Sequence, residues 1–153
     1  MDSSIWNLRD SDAFTGALRS HLEVQRATGR ASRLASALLD VLDLDARIAM
    51  EGFADIFYQM LSAERCRAVI ATLNAMGLAT LGTLFEEAFS IYSRGNSDIS
   101  DADFALLDPF SLDTASGARF DEIAALFDAP ESELWRICEA THAFATERRG
   151  ELE

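Results

Sequence analysis

The sequence predicts an all-α fold: a compact pack of six to eight helices in a single domain. Apolar residues recur at intervals of three and four along nearly the whole chain, which is the period of an amphipathic helix. No segment combines strict apolar–polar alternation with enrichment in Val, Ile and Thr, as a strand would require. The length of 153 residues, with 49% apolar and 25% charged residues, fits one globular domain.

Residues 1–30 are predicted to contain one N-terminal helix. Ser11 or Asp12 is the expected N-cap, because short polar side chains accept hydrogen bonds from the free amides at a helix start. Gly29 is expected to end the segment, since glycine adopts the left-handed conformation that follows many helices. The positions on the inward face are Phe14, Leu18, Leu22 and Gln25.

Residues 31–92 are predicted to form an apolar helical core. Gly52 separates its first helix from a short and very apolar helix at residues 53–60. Ser62 is the expected N-cap of the following helix, and Gly77 its C-terminal glycine. The apolar positions, helix by helix, are Leu34, Leu38, Val41 and Leu42, then Cys66, Val69, Ile70, Leu73 and Met76, then Leu81, Leu84, Phe85, Ala88 and Tyr92.

Residues 93–153 are predicted to be acidic C-terminal helices that follow a loop at 93–100. Ser100 and Asp103 have the spacing of a helix cap, and the short helix they open is expected to end before Pro109. Residues 128–131 have the spacing of a capping box that opens the last helix, with Arg148 and Arg149 in its final turn. The apolar positions are Phe120, Ile123, Ala124 and Phe127, then Leu134, Cys138, Thr141 and Ala145.

The charge is distributed very unevenly. All 13 basic residues are Arg, and the net charge is −13. Residues 1–74 carry 10 acids and 8 bases, a net of −2, whereas residues 75–153 carry 16 acids and 5 bases, a net of −11. Within residues 86–133 there are 12 acids against Arg94 and Arg119. Such an acidic half disfavours direct binding to nucleic acid or to an anionic membrane, because both require a positive surface.

Nothing in the sequence predicts an active site, so we expect no enzymatic activity, no cofactor and no metal. Neither histidine has a Cys, Ser or acid arranged around it in a known catalytic order, and there is no Gly-rich phosphate loop. Asp98, Asp101 and Asp103 do not have the spacing of a calcium loop. Both cysteines lie in apolar helical patterns, which indicates reduced core thiols. The histidines are His21 and His142, and the cysteines are Cys66 and Cys138.

A cytoplasmic location is expected from the absence of membrane and export signals. No apolar run approaches the roughly 18 residues that a membrane span requires. The start of the chain, residues 1–5, has neither the basic nor the apolar region of a signal peptide.

Part of the chain resembles the family of bacterial DNA-mimic proteins. The resemblance is carried by the order Gly52-Phe53-x-x-x-Phe57-Tyr58, by Leu-x-x-Met-Gly at residues 73–77, and by the helix through Glu87 and Ala88; it extends over about residues 38–145. It implies an acidic helical protein whose surface carboxylates stand in for DNA phosphates and occupy a DNA-binding protein.

The expected binding surface is formed by carboxylates of the acidic half. Duplex DNA carries one charge per about 1.7 Å of axis, and acids at successive turns of adjacent helices approximate such a track. We predict that these acids form one continuous exposed face, with Arg94 and Arg119 at its margins or turned away. The candidates are Glu86, Asp98, Asp101, Asp103, Asp108, Asp113, Asp121, Glu122, Asp128, Glu131 and Glu133.

The expected partner is a basic protein surface. A DNA-binding regulator or a nucleoid protein fits this description, and so does a basic toxin or nuclease that an immunity protein or antitoxin would inhibit. The sequence does not separate these two hypotheses, and it leaves open a homodimer.

Overall fold

The computed structural model describes residues 4–153, apart from the side chains of residues 49–51. The described residues contain no strand, so the all-α class is confirmed. The α-helices are α1 (Ser11–Ala27), α2 (Arg33–Glu51), α3 (Phe53–Asp55), α4 (Ala63–Ala75), α5 (Ala79–Tyr92), α6 (Asp101–Ala105), α7 (Thr114–Phe127), α8 (Ile137–Glu147) and α9 (Arg149–Leu152). There are also 3-10 turns at Ile5–Asn7, Pro109–Ser111 and Glu133–Arg136, and a π-helix at Ile56–Met60. Seven of the described α-helices are longer than a single turn, which agrees with the expected number.

The sequence predicted neither a signal peptide at the start of the chain nor a membrane-spanning helix. The segment predicted to lack a signal peptide includes residues 1–3, which lie outside the described part of the chain. Among residues 4–153, no helix combines the length and the apolar character needed to cross a membrane.

The helices pack in a closed series around one core. α1 packs against α8 and α2, α2 against α4, α4 against α5, and α5 against α7. The 3-10 turn before α8 contacts both α5 and α8, which closes the series. Buried apolar residues from Phe14 to Leu152 form one contiguous cluster, so the chain is a single domain. Gly82 lets α4 and α5 approach closely, because a side chain at that position would meet Asn74.

The apolar segment after Gly52 fills the centre of this series. The ring of Phe57 lies 5.2 Å from that of Phe85 and 5.3 Å from that of Tyr92, and the ring of Phe53 lies 5.2 Å from that of Phe120. These rings join the two halves of the chain in one aromatic core. The segment is helical, as predicted, and α3 passes into the π-helix at Ile56–Met60.

Most predicted helix ends are confirmed. Ser62 Oγ accepts a hydrogen bond from the Arg65 amide and caps α4, and Ser100 caps α6 in the same way. Gly29 and Gly77 follow α1 and α4 with φ of 70° and 78°, conformations that L side chains rarely adopt.

The predicted N-cap of the first helix is wrong. Asp10, not Ser11 or Asp12, caps α1, and its Oδ1 accepts a hydrogen bond from the Ala13 amide at 2.8 Å. Asp10 has an extended backbone with φ −75° and ψ 123°, whereas Ser11 is already helical. Only the extended residue directs its side chain at the free amides of the first turn.

The predicted capping box at residues 128–131 is also wrong. Asp128 ends α7, and Ser132 caps the 3-10 turn before α8 by accepting a hydrogen bond from the Leu134 amide at 3.1 Å. The Trp135 indole donates to the Ala129 carbonyl at 2.9 Å, which holds the connection as a turn. The start of the last helix therefore moves to residue 137.

The basic residues at the end of α8 lie just beyond the predicted place. Arg148 is the C-cap of α8, and Arg149 begins α9. The guanidinium of Arg149 lies 5.2 Å from the Trp6 ring centre, and that of Arg148 lies 4.9 Å from the Phe144 ring centre. These cation–π contacts hold the end of the chain against α8 and the N-terminal 3-10 turn.

The cysteines are free thiols, as predicted. Cys66 is fully buried, and burial raises the pKa of its thiol far above the ordinary value. Cys138 is half-buried, and burial raises the pKa of its thiol as well. Both therefore stay protonated and unreactive at neutral pH.

Candidate partner-binding surface

Ten of the eleven candidate carboxylates belong to exposed residues, and Glu133 is the exception. They come from five parts of the fold: α5, the loop before α6, the α6–α7 region, α7, and the connection to α8. Exposure alone does not distinguish a binding surface from helix capping, so the hydrogen-bond partners of each carboxylate are informative.

Four of the candidates bind backbone amides, and Asp101 and Asp108 are the first two of them. Asp101, although it begins α6, accepts a hydrogen bond at 2.9 Å from the amide of Glu64, in the first turn of α4. Asp108 accepts one at 2.9 Å from the amide of Phe110 and thereby caps the 3-10 turn before α7. Both carboxylates stabilise local structure, which leaves them less available to a partner.

Asp113 is the N-cap of α7. It accepts hydrogen bonds from the amide of Ser116 at 2.8 Å and from its hydroxyl at 3.0 Å. These two donors favour the ionised carboxylate and hold the pKa of Asp113 below its usual value. The role of Asp113 within the chain is therefore structural.

Arg119 pairs with two acids of this half, and its position relative to the margins of an acidic face stays a prediction. Its guanidinium donates to both carboxylate oxygens of Glu87 at 2.8 Å and pairs with Glu122 at 3.1 Å. The hydrogen bonds to Glu87 and Glu122 raise the pKa of Arg119, and the bond from Arg119 lowers the pKa of Glu87. Glu122 is thus partly neutralised, because i,i+3 residues share one helix face.

The side chain of Glu133 is 18% exposed, the lowest value among the acids of residues 75–153 for which the structure describes an ion pair. Its Oε1 accepts a hydrogen bond from the amide of Leu81 at 3.0 Å, in the first turn of α5, and its Oε2 pairs with Arg136 at 3.2 Å. Leu78, the N-cap residue of α5, provides no side-chain hydrogen bond there. The carboxylate of Glu133 takes over this role and is turned inward.

Six candidates form no hydrogen bond or ion pair through their side chains with any residue that the structure describes. We call them the six unpaired carboxylates. They are Glu86, Asp98, Asp103, Asp121, Asp128 and Glu131.

The structure brings only some of the unpaired carboxylates together. Glu86 and Asp98 line one depression of about 710 Å³, beside Arg67 and Phe89. Asp121 lines a different depression of about 310 Å³, beside Phe110. The single continuous acidic face therefore stays a prediction.

Arg94 is turned toward the backbone. Its guanidinium donates to the carbonyl oxygens of Tyr92 and Asp108, both at 2.5 Å, and to the hydroxyl of Ser111 at 2.6 Å. Arg94 has a φ of 55°, a left-handed conformation that is uncommon outside glycine. It ties the end of α5 to the turn that precedes α7.

Sequence reasoning missed Asp40, the most buried acid that the structure describes. Asp40, in α2, is 1% exposed; its Oδ1 accepts hydrogen bonds from Arg26 at 2.8 Å and from Arg65 at 2.6 Å. Arg65 also donates to Oδ2 at 3.0 Å, and its hydrogen bond to Asp40 raises the pKa of the guanidinium. The triad links α1, α2 and α4. An acid inside the apolar run of α2 was the available signal, because a buried carboxylate requires a partner.

The two histidines lie in structural positions. His21 is 2.8 Å from the side-chain nitrogen of Gln25, and His142 is 3.0 Å from the hydroxyl of Ser11 and stacks on the ring of Phe14 at 4.1 Å. Among the side chains that the structure describes, no three from His, Cys, Asp or Glu are grouped as metal binding would require. The expectation of no enzymatic activity and no cofactor stays a prediction.

Comparison with known proteins identifies one family. The model of the DMP19-like proteins matches residues 30–147. A histidinol dehydrogenase from Xanthomonas axonopodis pv. citri (strain 306) is 32% identical over 104 residues, which cover 64% of this chain and 24% of that protein. The chain thus spans about a quarter of the length of this relative. No solved structure matches.

Proposed function

Because the chain belongs to the DMP19-like protein family, we propose that it is a non-enzymatic binding protein that mimics DNA. Its acidic half occupies the DNA-binding surface of a DNA-binding regulator or a nucleoid protein in the cytoplasm. The histidinol dehydrogenase activity belongs to a relative of which this chain matches 24%, and we do not extend it to this protein.

The six unpaired carboxylates carry this proposal. An exposed carboxylate that neither caps a helix nor pairs with Arg contributes little to stability, and a large net charge of one sign opposes folding through self-repulsion. A use outside the fold accounts for their presence. Opposite a basic surface they form ion pairs and steer association.

The class of partner follows from charge. Residues 75–153 have a net charge of −11, which repels nucleic acid and anionic lipid and attracts a basic protein. A basic toxin or nuclease would satisfy the same electrostatics, so an immunity or antitoxin-type inhibitor is the alternative. The identity of the captured protein separates the two roles.

The test is capture of basic proteins on the immobilised chain. The probe is the fraction of the same organism's lysate that heparin retains, since heparin selects proteins with a positive surface. We expect a partner that is held at about 0.1 M salt, released at about 0.5 M, and displaced by duplex DNA. Partners that bind equally well at both salt concentrations, or that duplex DNA does not displace, would contradict the proposal.

A pair of charge-matched variants makes the test specific. In the first, the six unpaired carboxylates become amides; in the second, six exposed acids outside residues 86–133 do. Both have the same net charge. We expect the first to bind the partner at least about 10-fold more weakly and the second to bind nearly as wild type, since each interfacial ion pair contributes about 0.2–1 kcal/mol. The acids changed in the second variant are Asp12, Glu23, Asp45, Glu64, Glu139 and Glu147.

A further inference from the structure

An apolar surface protrudes from the acidic half and takes no part in the core. Phe110 is 92% exposed and Leu106 is 83% exposed, the highest values among the large apolar side chains that the structure describes. Tyr58, on the π-helix, is 52% exposed. Such side chains are unfavourable in water, and grouped exposure of this kind is typical of interaction sites.

Leu106 and Phe110 both lie between α6 and α7, four residues apart in the sequence. Phe110 lines the depression of about 310 Å³ together with Ala54 and the buried ring of Tyr92. We call the exposed side chains of Leu106 and Phe110 the Phe110 surface.

The turn that carries Phe110 is held rigidly. Arg94 donates to the carbonyl of Asp108 at 2.5 Å and to the hydroxyl of Ser111 at 2.6 Å, on either side of Phe110. The carboxylate of Asp108 accepts a hydrogen bond from the Phe110 amide, and Pro109 restricts the backbone between them. A preorganised aromatic side chain loses little conformational entropy when a partner covers it.

We propose that the Phe110 surface is the apolar centre of the contact with the basic partner, which offers an apolar pocket for Phe110. This inference rests on the proposed function. Aromatic anchors at the centre of an interface carry much of its affinity, while charges around them steer and orient the partner. In this interface the carboxylates select and orient the basic partner. Burial of Phe110 supplies the apolar part of the affinity, which the carboxylates do not provide.

Charge also decides between possible occupants of this surface. Asp108 and Asp121 lie beside Phe110, and the unpaired carboxylate of Asp121 can pair with a basic protein that covers this side chain. A second copy of the chain would bring the same carboxylates together across a two-fold axis, which is repulsive. Anionic lipid and nucleic acid are repelled for the same reason.

The test compares Phe110→Ser with Val24→Ser, which removes another exposed apolar side chain, on α1, that is 62% exposed. The partner is the protein that the immobilised full-length chain retains from the heparin-binding fraction. We expect Phe110→Ser to weaken binding about 10–30-fold, by the same factor at low and high salt, because apolar burial is not screened. Leu106→Ser should act in the same direction, and Val24→Ser should bind as wild type. Asp121→Asn should instead lose affinity mainly at low salt.

The possible failures can be told apart. If the chain retains no salt-sensitive partner that DNA displaces, the proposed function fails and this inference with it. If a partner is retained and Phe110→Ser binds it as wild type does, only the inference fails. If Phe110→Ser turns a dimer into a monomer in sedimentation while partner affinity is unchanged, the surface belongs to a second copy and the inference is overturned. Unchanged circular dichroism and thermal midpoint of each variant exclude a folding defect.

Discussion

The two halves of the molecule use part of their acidic residues differently. In the first half, Asp40 is buried between Arg26 and Arg65, and Asp43 pairs with Arg19. In the second half, acids cap helices, form more exposed pairs with arginines or remain exposed, and six candidate carboxylates are unpaired. The comparison indicates that the most buried acid, in the first half, holds helices together, whereas the six unpaired carboxylates of the second half contribute little to the fold.

The largest expected effect is on the buried triad. Asp40→Ala leaves Arg26 and Arg65 without their shared carboxylate, and we expect the free energy of unfolding to fall by about 3 kcal/mol, since breaking a buried ion pair is strongly destabilising. Urea denaturation measures this loss. Asp98→Ala, which removes an unpaired and exposed carboxylate, is the control and should cost less than about 0.5 kcal/mol. Equal losses in the two variants would remove the contrast between the halves.

A smaller effect concerns the acids that do stabilise the second half. The donors on Ser116 lower the pKa of Asp113, and Arg119 lowers that of Glu87. A carboxyl group with a lowered folded-state pKa stabilises the fold fully above its unfolded-state pKa, and this contribution is lost as the pH falls through the folded-state value. The pH range in which this stabilisation is lost therefore lies below the ordinary pKa values of 3.8 for Asp and 4.5 for Glu.

We expect the thermal midpoint of the wild type to fall with pH in this window, and that of an Asp113→Asn, Glu87→Gln double variant to fall less steeply. Calorimetry between about pH 2.5 and pH 7 measures the two slopes. The control, Asp98→Asn with Asp128→Asn, should follow the wild type. If the control flattened the profile as much as the double variant, the division into structural and unpaired acids would be wrong.

The smallest expected effect belongs to the six unpaired carboxylates. Conversion of all six to amides should leave the thermal midpoint unchanged or raise it slightly, because the smaller net negative charge reduces repulsion within the folded chain. Differential scanning calorimetry at low salt detects this change. A marked fall of the midpoint would mean that these acids stabilise the fold, and the main support for a partner-binding role would be lost.

Local patterns predicted the helices well, because they depend on neighbours within a few residues. Phe14, Leu18 and Leu22 are all fully buried, as the three-to-four-residue period requires. Ser62 and Ser100 cap the helices that follow them. The errors at Asp10 and Ser132 are shifts of one to four residues, and several polar residues in a row offered each cap more than one position.

The fate of individual acids could not be predicted in this way. Asp101 binds the amide of Glu64, and Glu133 binds that of Leu81, 37 and 52 residues away in sequence. The charge and the family resemblance place both on the predicted binding face, because neither gives information on contacts distant in sequence. The exposure of Phe110 was equally unpredictable, since an apolar residue after Pro109 gives no sign of which side of the turn faces the core.

The sequence by itself determined the helical class, the positions of the helices, the apolar faces and the −11 charge of the second half, because periodicity and composition are properties of the chain. Only the tertiary structure decided which acids accept hydrogen bonds from backbone amides or pair with arginines, and which remain unpaired. It also decided that Asp40 is shared by two arginines and that Phe110 stands in solvent beside carboxylates. Hydrogen bonds and burial depend on which residues distant in sequence come within about 3 Å of each other, and helix packing alone sets those distances.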